Sequence, residues 1–221
     1  MPTPHKLIVV GAGGLGSEIV WTIENLNAPD GALELIGFCD DAETKKGKLF
    51  CGYPILGTPE EIDHGQAEKP RFICAIGDNK CRKAMVTRLT TLGWQAASVV
   101  DPSLICAASA RIGAGTYIAP GCILSANTVL GDHVILNLGC TIGHNGIVED
   151  FGQISPGGRV SGFTTVKVGA FLGSNAVAAP GVTIGEWATL GACSFAVADV
   201  PEETTAVGTP ARVVFRARGA N

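Results

Sequence analysis

The sequence predicts two domains: a Rossmann-like α/β domain over residues 1–100, then a left-handed parallel β-helix over residues 101–221. The first prediction rests on short apolar strand candidates that alternate with segments of helical spacing, and on a glycine-rich turn after the first strand. The second rests on an apolar residue that recurs every six positions. The composition agrees, because 30 glycines and only 16% charged residues suit many short strands and tight corners.

The N-terminal half alternates strands and helices. KLIVV enters GAGGLG, and SEIVWTIENL follows with apolar residues at helical spacing. LELIGF and RFICAIG are further buried strands, CRKAMVTRLTTLG is an amphipathic helix closed by Gly93, and WQAASVV is the last strand. Strands separated by helices predict a mainly parallel sheet.

The glycine-rich turn is a candidate nucleotide site. GAGGLG fits G-x-G-x-x-G through Gly11, Gly13 and Gly16, and backbone N–H groups at a helix N-terminus can bind a diphosphate. Asp40 and Asp41 follow the second strand, about where an acid that contacts a ribose or base is expected. An NAD site, a site for another nucleotide and a purely structural loop all remain open from these residues alone.

The C-terminal half has a period of six. Thirteen of the sixteen positions in this frame are Leu, Ile or Val, and each is followed four residues later by a second, mostly small position. Three hexads make one triangular coil, so residues 18 apart are neighbours along the helix axis. The sixteen positions are Cys106, Ile112, Ile118, Leu124, Leu130, Leu136, Ile142, Val148, Ile154, Val160, Val166, Leu172, Ala178, Ile184, Leu190 and Ala196.

Charge and cysteine usage limit the function classes. A net charge of −4 argues against a nucleic-acid binder, and the eight cysteines contain no C-x-x-C pair. Cys122 and Cys140 should stack on neighbouring coils, where two packed thiols fit a reducing compartment better than a disulfide. The N-terminal apolar run is too short for a signal peptide or membrane span, so we expect a soluble cytoplasmic protein.

These features together resemble a known family. The α/β domain with its glycine turn, GFCDD and CAIGDNKCR precedes a helix that contains ILNLGCTIGHNGIVEDFGQISPGGRVSGFTTVKVGAFLG and ends in VGTPAR. The chain resembles bacterial sugar acetyltransferases of the bacillosamine and perosamine N-acetyltransferase kind, and the related sialic acid O-acetyltransferases. The resemblance implies acetyl-CoA as donor, a homotrimer, active sites between adjacent subunits, and a nucleotide-linked amino sugar as acceptor.

The resemblance also implies a catalytic base. A histidine at the position of His144 has that role in similar enzymes, and its place in the hexad puts it on a corner, pointing outward. Similar enzymes often place an acid next to the base, where this chain has Asn145, and some place a second histidine where it has Gln153. We expect Gln153 to donate a hydrogen bond near the thioester, and Glu149 or Asp150 could orient the imidazole instead.

Further residues complete the predicted site. Asn137, at a hexad position that is mostly Gly, Ala or Ser, could hold the acceptor group, whereas His133 is expected to be a surface residue. Above His144 the 18-residue column contains only small or flat residues, and Gly162 among them matches a cofactor-contacting glycine in similar enzymes. We predict that an extended pantetheine follows this column and that Arg212, with Arg216 and Arg218, binds the donor's phosphates. The predicted column is Gly162, Pro180 and Ala198, and the acceptor's nucleotide is predicted to contact Gly13, Gly14, Leu15, Asp40 and Asp41.

The predicted reaction is transfer of acetyl from acetyl-CoA to the amino group of a nucleotide-linked amino-deoxy sugar, with His144 as general base. The alternatives are O-acetylation of a sugar hydroxyl and a non-catalytic nucleotide-sensing scaffold. A zinc carbonic anhydrase on the same helix would need three histidines around the metal, and only His133 and His144 lie on the helix. No metal is therefore expected.

Overall fold

The structure, a computed structural model, describes residues 5–26, 33–63 and 69–216, with the side chain of Arg216 outside that description. The chain separates into two compact units, Met1–Val99 and Val100–Asn221. In the described part of the chain, no helix is long and apolar enough to cross a membrane.

The N-terminal unit is a six-stranded sheet with helices between its strands. The elements are β1 His5–Val10, α1 Gly14–Asn25, β2 Leu33–Cys39, a 3-10 turn Glu43–Lys45, β3 Leu49–Phe50, β4 Tyr53–Gly57, α2 Pro59–Asp63, β5 Arg71–Cys74, α3 Asn79–Thr91 and β6 Gln95–Ala96. Strand β1 lies near the middle of the order β3-β4-β2-β1-β5-β6, parallel to β2 on one side and to β5 on the other, and among the described strands of this unit only β3 and β4 pair antiparallel. A glycine turn that follows β1 therefore opens at the carboxyl edge where the strand order reverses, the usual ligand position in such sheets.

The predicted parallel sheet is confirmed, with one correction at its end. β1 is a continuous apolar run because Leu7 to Val10 are buried on both faces of the sheet. WQAASVV is not one strand: Gln95–Ala96 pairs with β5, whereas Val99–Val100 joins a sheet of the β-helix. The short strands β3 and β4 and the helix α2 were not predicted.

The C-terminal unit is a parallel β-helix with three faces, each built from two-residue strands in register with strands 18 residues away. The first face contains Val99–Val100, Tyr117–Ile118, Ile135–Leu136, Gln153–Ile154, Phe171–Leu172 and Thr189–Leu190. The second contains Ile105–Cys106, Ile123–Leu124, Thr141–Ile142, Arg159–Val160, Val177–Ala178 and Phe195–Ala196. The third contains Arg111–Ile112, Val129–Leu130, Ile147–Val148, Thr165–Val166 and Thr183–Ile184.

The six-residue column forms the core of this helix. Every member from Ile118 to Ala196 is at most 2% exposed, which contributes on the order of 1.5–3 kcal/mol for each large aliphatic side chain. Cys106 and Ile112 are exposed because they belong to the first coil, which has a neighbouring coil on one side only. Cys122 and Cys140 are buried free thiols, as expected.

The repeat ends before its sixteenth hexad is complete. Val200 pairs with Ile184, sixteen residues away instead of eighteen, so the last coil is two residues short. The chain then forms an antiparallel hairpin, Thr204–Gly208 with Ala211–Arg216, which extends the first face.

Candidate functional site

His144 lies on the corner between the second and third faces, with its side chain exposed as predicted. Backbone hydrogen bonds connect this corner to the coils on both sides: Asn145 N–H donates to the Ala126 carbonyl at 2.9 Å, and Phe163 N–H donates to the His144 carbonyl at 3.0 Å. The imidazole is thus mounted on a rigid stack of coils.

Gly162 provides the surface on which the imidazole lies. A Cβ atom at residue 162 would come within 2.7 Å of both Cε1 and Nε2 of His144, closer than real Cβ contacts. The Cε1–Nε2 edge of the ring therefore lies directly over the glycine of the next coil. Gly162 is needed here for the position of the base, whatever it also contacts in a ligand.

Asn145 orients the imidazole. Its Oδ1 lies 3.3 Å from Nδ1 of His144, and an amide oxygen can only accept a hydrogen bond. The contact therefore selects the tautomer with the hydrogen on Nδ1, which leaves the lone pair of Nε2 free to accept a proton. Asn145 has a φ of 58°, a left-handed conformation that asparagine tolerates better than most residues.

Glu149 and Asp150 do not orient the imidazole. Glu149 accepts hydrogen bonds from Lys167 Nζ at 2.8 Å and from the Val168 N–H at 3.1 Å, and Asp150 accepts one from the Asp132 N–H at 2.8 Å. Both carboxylates bind across to neighbouring coils at the corner between the third and first faces. The prediction that either one could replace the missing acid is wrong.

Asn137 and Gln153 are not brought to His144 within one chain. Gln153 lies in a strand of the first face, which is the face opposite the His144 corner of the triangle, and Asn137 follows the preceding strand of that face. Both are buried, at 8% and 7% exposed. A role beside His144 would require these residues to come from an adjacent subunit. His133, expected at the surface, is half-buried and stacks on Phe151 with 5.2 Å between ring centroids.

The predicted donor column is regular over part of its length. Gly181 N–H donates to the Gly162 carbonyl at 3.0 Å, next to the exposed Pro180, so the corner continues upward from the imidazole. Ala198 is exposed but lies in the last coil, which is two residues short, so the 18-residue register ends before it. Arg212 is exposed on the hairpin, with its Nη1 donating to the Ala211 carbonyl at 2.9 Å. The Arg216 side chain and all of Arg218 lie outside the described residues.

In the N-terminal unit the glycines of the turn have two roles. Gly11, at φ 110°, and Gly16 are packing positions: an added Cβ would come within 3.0 Å of the Ala75 carbonyl oxygen and 2.3 Å of the Gly11 carbonyl oxygen, respectively. Gly13 and Gly14 have open space on that side and are exposed.

The open part of the turn is also the start of a helix. The N–H of Ser17 donates a hydrogen bond to the Gly13 carbonyl at 3.0 Å, which is the first bond of helix α1 to the turn. The N–H groups of Gly14 and Leu15 precede it, at the electropositive end of α1. This end is therefore available for an anionic ligand.

Asp40 is tied to the glycine turn. Its carboxylate accepts hydrogen bonds from the Ala12 N–H at 2.9 Å, the Ala42 N–H at 2.9 Å and Lys45 Nζ at 2.8 Å. Burial opposes its ionisation, but the hydrogen bonds from Lys45, Ala42 and Ala12 outweigh burial and hold the pKa of Asp40 below its ordinary value. Lys45 also donates to the Ala12 carbonyl at 3.0 Å, a contact that the sequence reasoning missed.

Asp41 faces a different partner. Its two carboxylate oxygens accept hydrogen bonds from Nη1 of Arg88 at 2.9 and 2.8 Å, and Nε of the same guanidinium donates to Glu60 at 2.7 Å. The hydrogen bond from Arg88 lowers the pKa of Glu60 to about 2. Asp41 is thus exposed but already engaged, whereas Gly13 and Gly14 are open. Among the described residues there is no cluster of three or more His, Cys, Asp or Glu side chains that could hold a metal.

Comparisons with known proteins bear on both units. A family model described as the PglD N-terminal domain matches residues 6–89. A curated relative, dTDP-3-amino-3,6-dideoxy-alpha-D-galactopyranose 3-N-acetyltransferase of Aneurinibacillus thermoaerophilus, is 46% identical over 52 residues. That match spans 24% of this chain and only 27% of the relative's length.

Solved structures match almost the whole chain. A histidine-to-asparagine variant of perosamine N-acetyltransferase from Caulobacter crescentus, in complex with CoA and GDP-perosamine, is 27% identical with a TM-score of 0.83, over 95% of this chain and 97% of that one. The acetyltransferase domain of PglB from Neisseria gonorrhoeae, in complex with acetyl coenzyme A, is 27% identical with a TM-score of 0.85, over 96% of this chain and 100% of that one.

Proposed function

We propose that this chain is a bacterial sugar N-acetyltransferase of the kind that joins a PglD-type N-terminal domain to a left-handed β-helix, and that it transfers acetyl from acetyl-CoA to the amino group of a nucleotide-linked amino-deoxy sugar. One observation carries the proposal: the His144 imidazole lies over Gly162, with Nδ1 toward Asn145 and Nε2 free. This is the arrangement that a general base on an open corner requires.

The chemistry assigned to the chain is proton transfer and positioning. The amine nitrogen attacks the thioester carbonyl carbon, the C–S bond breaks, and CoA leaves as the thiolate. Nε2 of His144 accepts the proton that the nitrogen loses, while Nδ1–H keeps its hydrogen bond to Asn145. The imidazolium then returns this proton to solvent before the next cycle.

The donor's binding site is proposed on the corner above the imidazole. Gly162, Pro180 and Ala198 present little side-chain bulk, so an extended pantetheine could run there against backbone groups. Gln153, from an adjacent subunit, would then donate a hydrogen bond near the thioester, and Arg212 would bind the donor's phosphates. The solved relatives that contain CoA or acetyl-CoA support the choice of donor.

The acceptor's nucleotide is proposed to bind at the glycine turn. The N–H groups of Gly13, Gly14 and Leu15 lie at the start of α1, where a diphosphate can bind, and the Asp40 carboxylate accepts a hydrogen bond from the Ala12 N–H of the turn. We propose that Asp40 and Asp41 contact the nucleotide. A diphosphate is common to the GDP-linked and dTDP-linked sugars named for two of the relatives. We propose that Asn137 of an adjacent subunit contacts the sugar.

An assembly follows from this arrangement. If Gln153 and Asn137 act with His144, two copies of the chain must share one site, and we propose a homotrimer that works in the cytoplasm, where acetyl-CoA is made. Light scattering at micromolar concentration should report three times the mass of one chain, 22.7 kDa. A monomeric mass would refute the shared site.

The experiment is a thiol-release assay with acetyl-CoA, offering GDP-perosamine and dTDP-3-amino-3,6-dideoxygalactose, each with its N-acetylated form as a blocked control. Wild-type protein should release thiol with at least one of the two amino sugars and not with its N-acetylated form. Mass spectrometry should identify the product as an amide. His144→Ala should lower kcat by about 10²–10⁴-fold, the usual contribution of a positioned base. An ester product, or thiol release with the blocked amine, would show O-acetylation. No thiol release from acetyl-CoA with either nucleotide sugar would favour a non-catalytic scaffold.

A further inference from the structure

Phe163 occupies a backbone position that does not suit it. It has a φ of 59°, in the left-handed region, and its side chain is 63% exposed. The equivalent positions of neighbouring coils contain Asn127, Asn145 and Gly181, the residue types that accept this conformation at low cost. A phenylalanine at this position therefore has both a strained backbone conformation and an apolar ring exposed to solvent.

The ring lies next to the proposed base. The Phe163 and His144 rings are edge to face, with 5.0 Å between their centroids and 85° between their planes. This contact uses one side of the phenyl ring and leaves much of it open to solvent. Because the imidazole edge that contains Nε2 lies over Gly162, the residue before Phe163, a group that delivers a proton to Nε2 must come close to the phenyl ring.

The shape of the two substrates decides which one fits the ring. A pantetheine arm is a narrow chain whose amides need hydrogen-bond partners, and the backbone beside Gly162 and Pro180 offers them. A pyranose carries a face of C–H groups, and a deoxy sugar adds a methyl group; both gain free energy by covering an exposed aromatic ring. We infer that Phe163 is a specificity-determining residue, on which the pyranose of the acceptor packs while its amine reaches Nε2. This inference rests on the proposed function.

The test separates acceptor binding from donor binding. Phe163→Gly removes the ring and suits the left-handed backbone, so the variant should keep or raise the Tm of the wild type. With whichever of GDP-perosamine or dTDP-3-amino-3,6-dideoxygalactose the wild type uses better, KM for the acceptor should rise about tenfold or more. KM for acetyl-CoA should stay within about twofold, because a ring that the donor does not touch cannot change the donor's affinity.

Phe151→Gly is the matched control, since Phe151 has the same φ of 59° but lies on another corner, against His133. It should leave both KM values unchanged. A rise in KM for acetyl-CoA with Phe163→Gly would assign the ring to the donor, and unchanged values for both substrates would remove it from the site. If the wild type turns over neither acceptor, the proposed function and this inference both fail. If the wild type turns over an acceptor and Phe163→Gly keeps both of its KM values, only this inference fails.

Discussion

Gly162→Ala tests whether the position of the imidazole determines the rate. A Cβ at this residue would lie 2.7 Å from Cε1 and Nε2 of His144, whereas ordinary contacts begin at 3.4 Å. The ring must retreat by the difference, away from the donor column and out of line with Asn145. The backbone should accept the alanine, because residue 162 is outside the left-handed region and the equivalent corner residue two coils earlier is Ala126.

A displacement of this size is large for a catalytic group. Misplacement by about 1 Å can cost on the order of 10²-fold in rate, so we expect kcat to fall by about 10- to 100-fold with little change in Tm. The assay is thiol release at saturating acetyl-CoA and acceptor, together with both KM values.

The same substitution in a His144→Ala background supplies the control. If the glycine acts through the imidazole, Gly162→Ala should have almost no further effect on kcat once the imidazole is gone. An equal loss in both backgrounds would mean that Gly162 acts directly on the donor. A wild-type kcat for the single variant would refute the steric reasoning.

Three further outcomes are expected. Asn145→Gly should lower kcat about fivefold, since it removes one neutral hydrogen bond to the imidazole, and Asn127→Gly, at the same φ one coil earlier, should not change kcat. Gly13→Val should raise KM for the acceptor and leave KM for acetyl-CoA unchanged; equal changes would contradict the assignment of the glycine turn. Asp40→Asn should cost about 1–2 kcal/mol in the free energy of unfolding at pH 7, because its ion pair with Lys45 is lost. The pKa of Asp40 is lowered in the folded state, so its contribution to the free energy of unfolding is full above about pH 4 and disappears as pH falls through the folded pKa. Urea unfolding should therefore show a smaller difference in the free energy of unfolding between variant and wild type at pH 3 than at pH 7.

The six-residue period was enough to predict the β-helix and the outward direction of His144. It works because each hexad maps to one face, so the position in the hexad fixes which way a side chain points. The same rule, applied across coils, would have placed Lys167 beside Glu149, eighteen residues earlier, and Gln153 on the face opposite the histidine. The expectation that Glu149 or Asp150 orients the imidazole was wrong because it followed proximity along the chain instead of the stack, whereas the role of Gln153 near the thioester stays a prediction.

Other features could not be derived from the pattern. The two-residue contraction at Val200 depends on how the last coil meets the hairpin, which no repeat encodes. The ion pair between Lys45 and Asp40 depends on a turn after β2 whose path the strand and helix pattern does not define. Phe163 was visible in the sequence as an aromatic residue where the neighbouring coils have Asn or Gly, but its contact with the imidazole needed coordinates.

The stacking of coils determines how local unfolding spreads through the β-helix. A solenoid behaves as a one-dimensional array, in which each layer contacts only the layers directly above and below it, and opening starts at the ends. The layer that holds His144 has regular neighbours on both sides, through hydrogen bonds to Ala126 and from Phe163. Fraying at the first coil or at the contracted last one must therefore cross intact layers before it reaches the imidazole. Variation at either end of the array can change how the chain begins, closes or assembles while the central layer keeps its geometry.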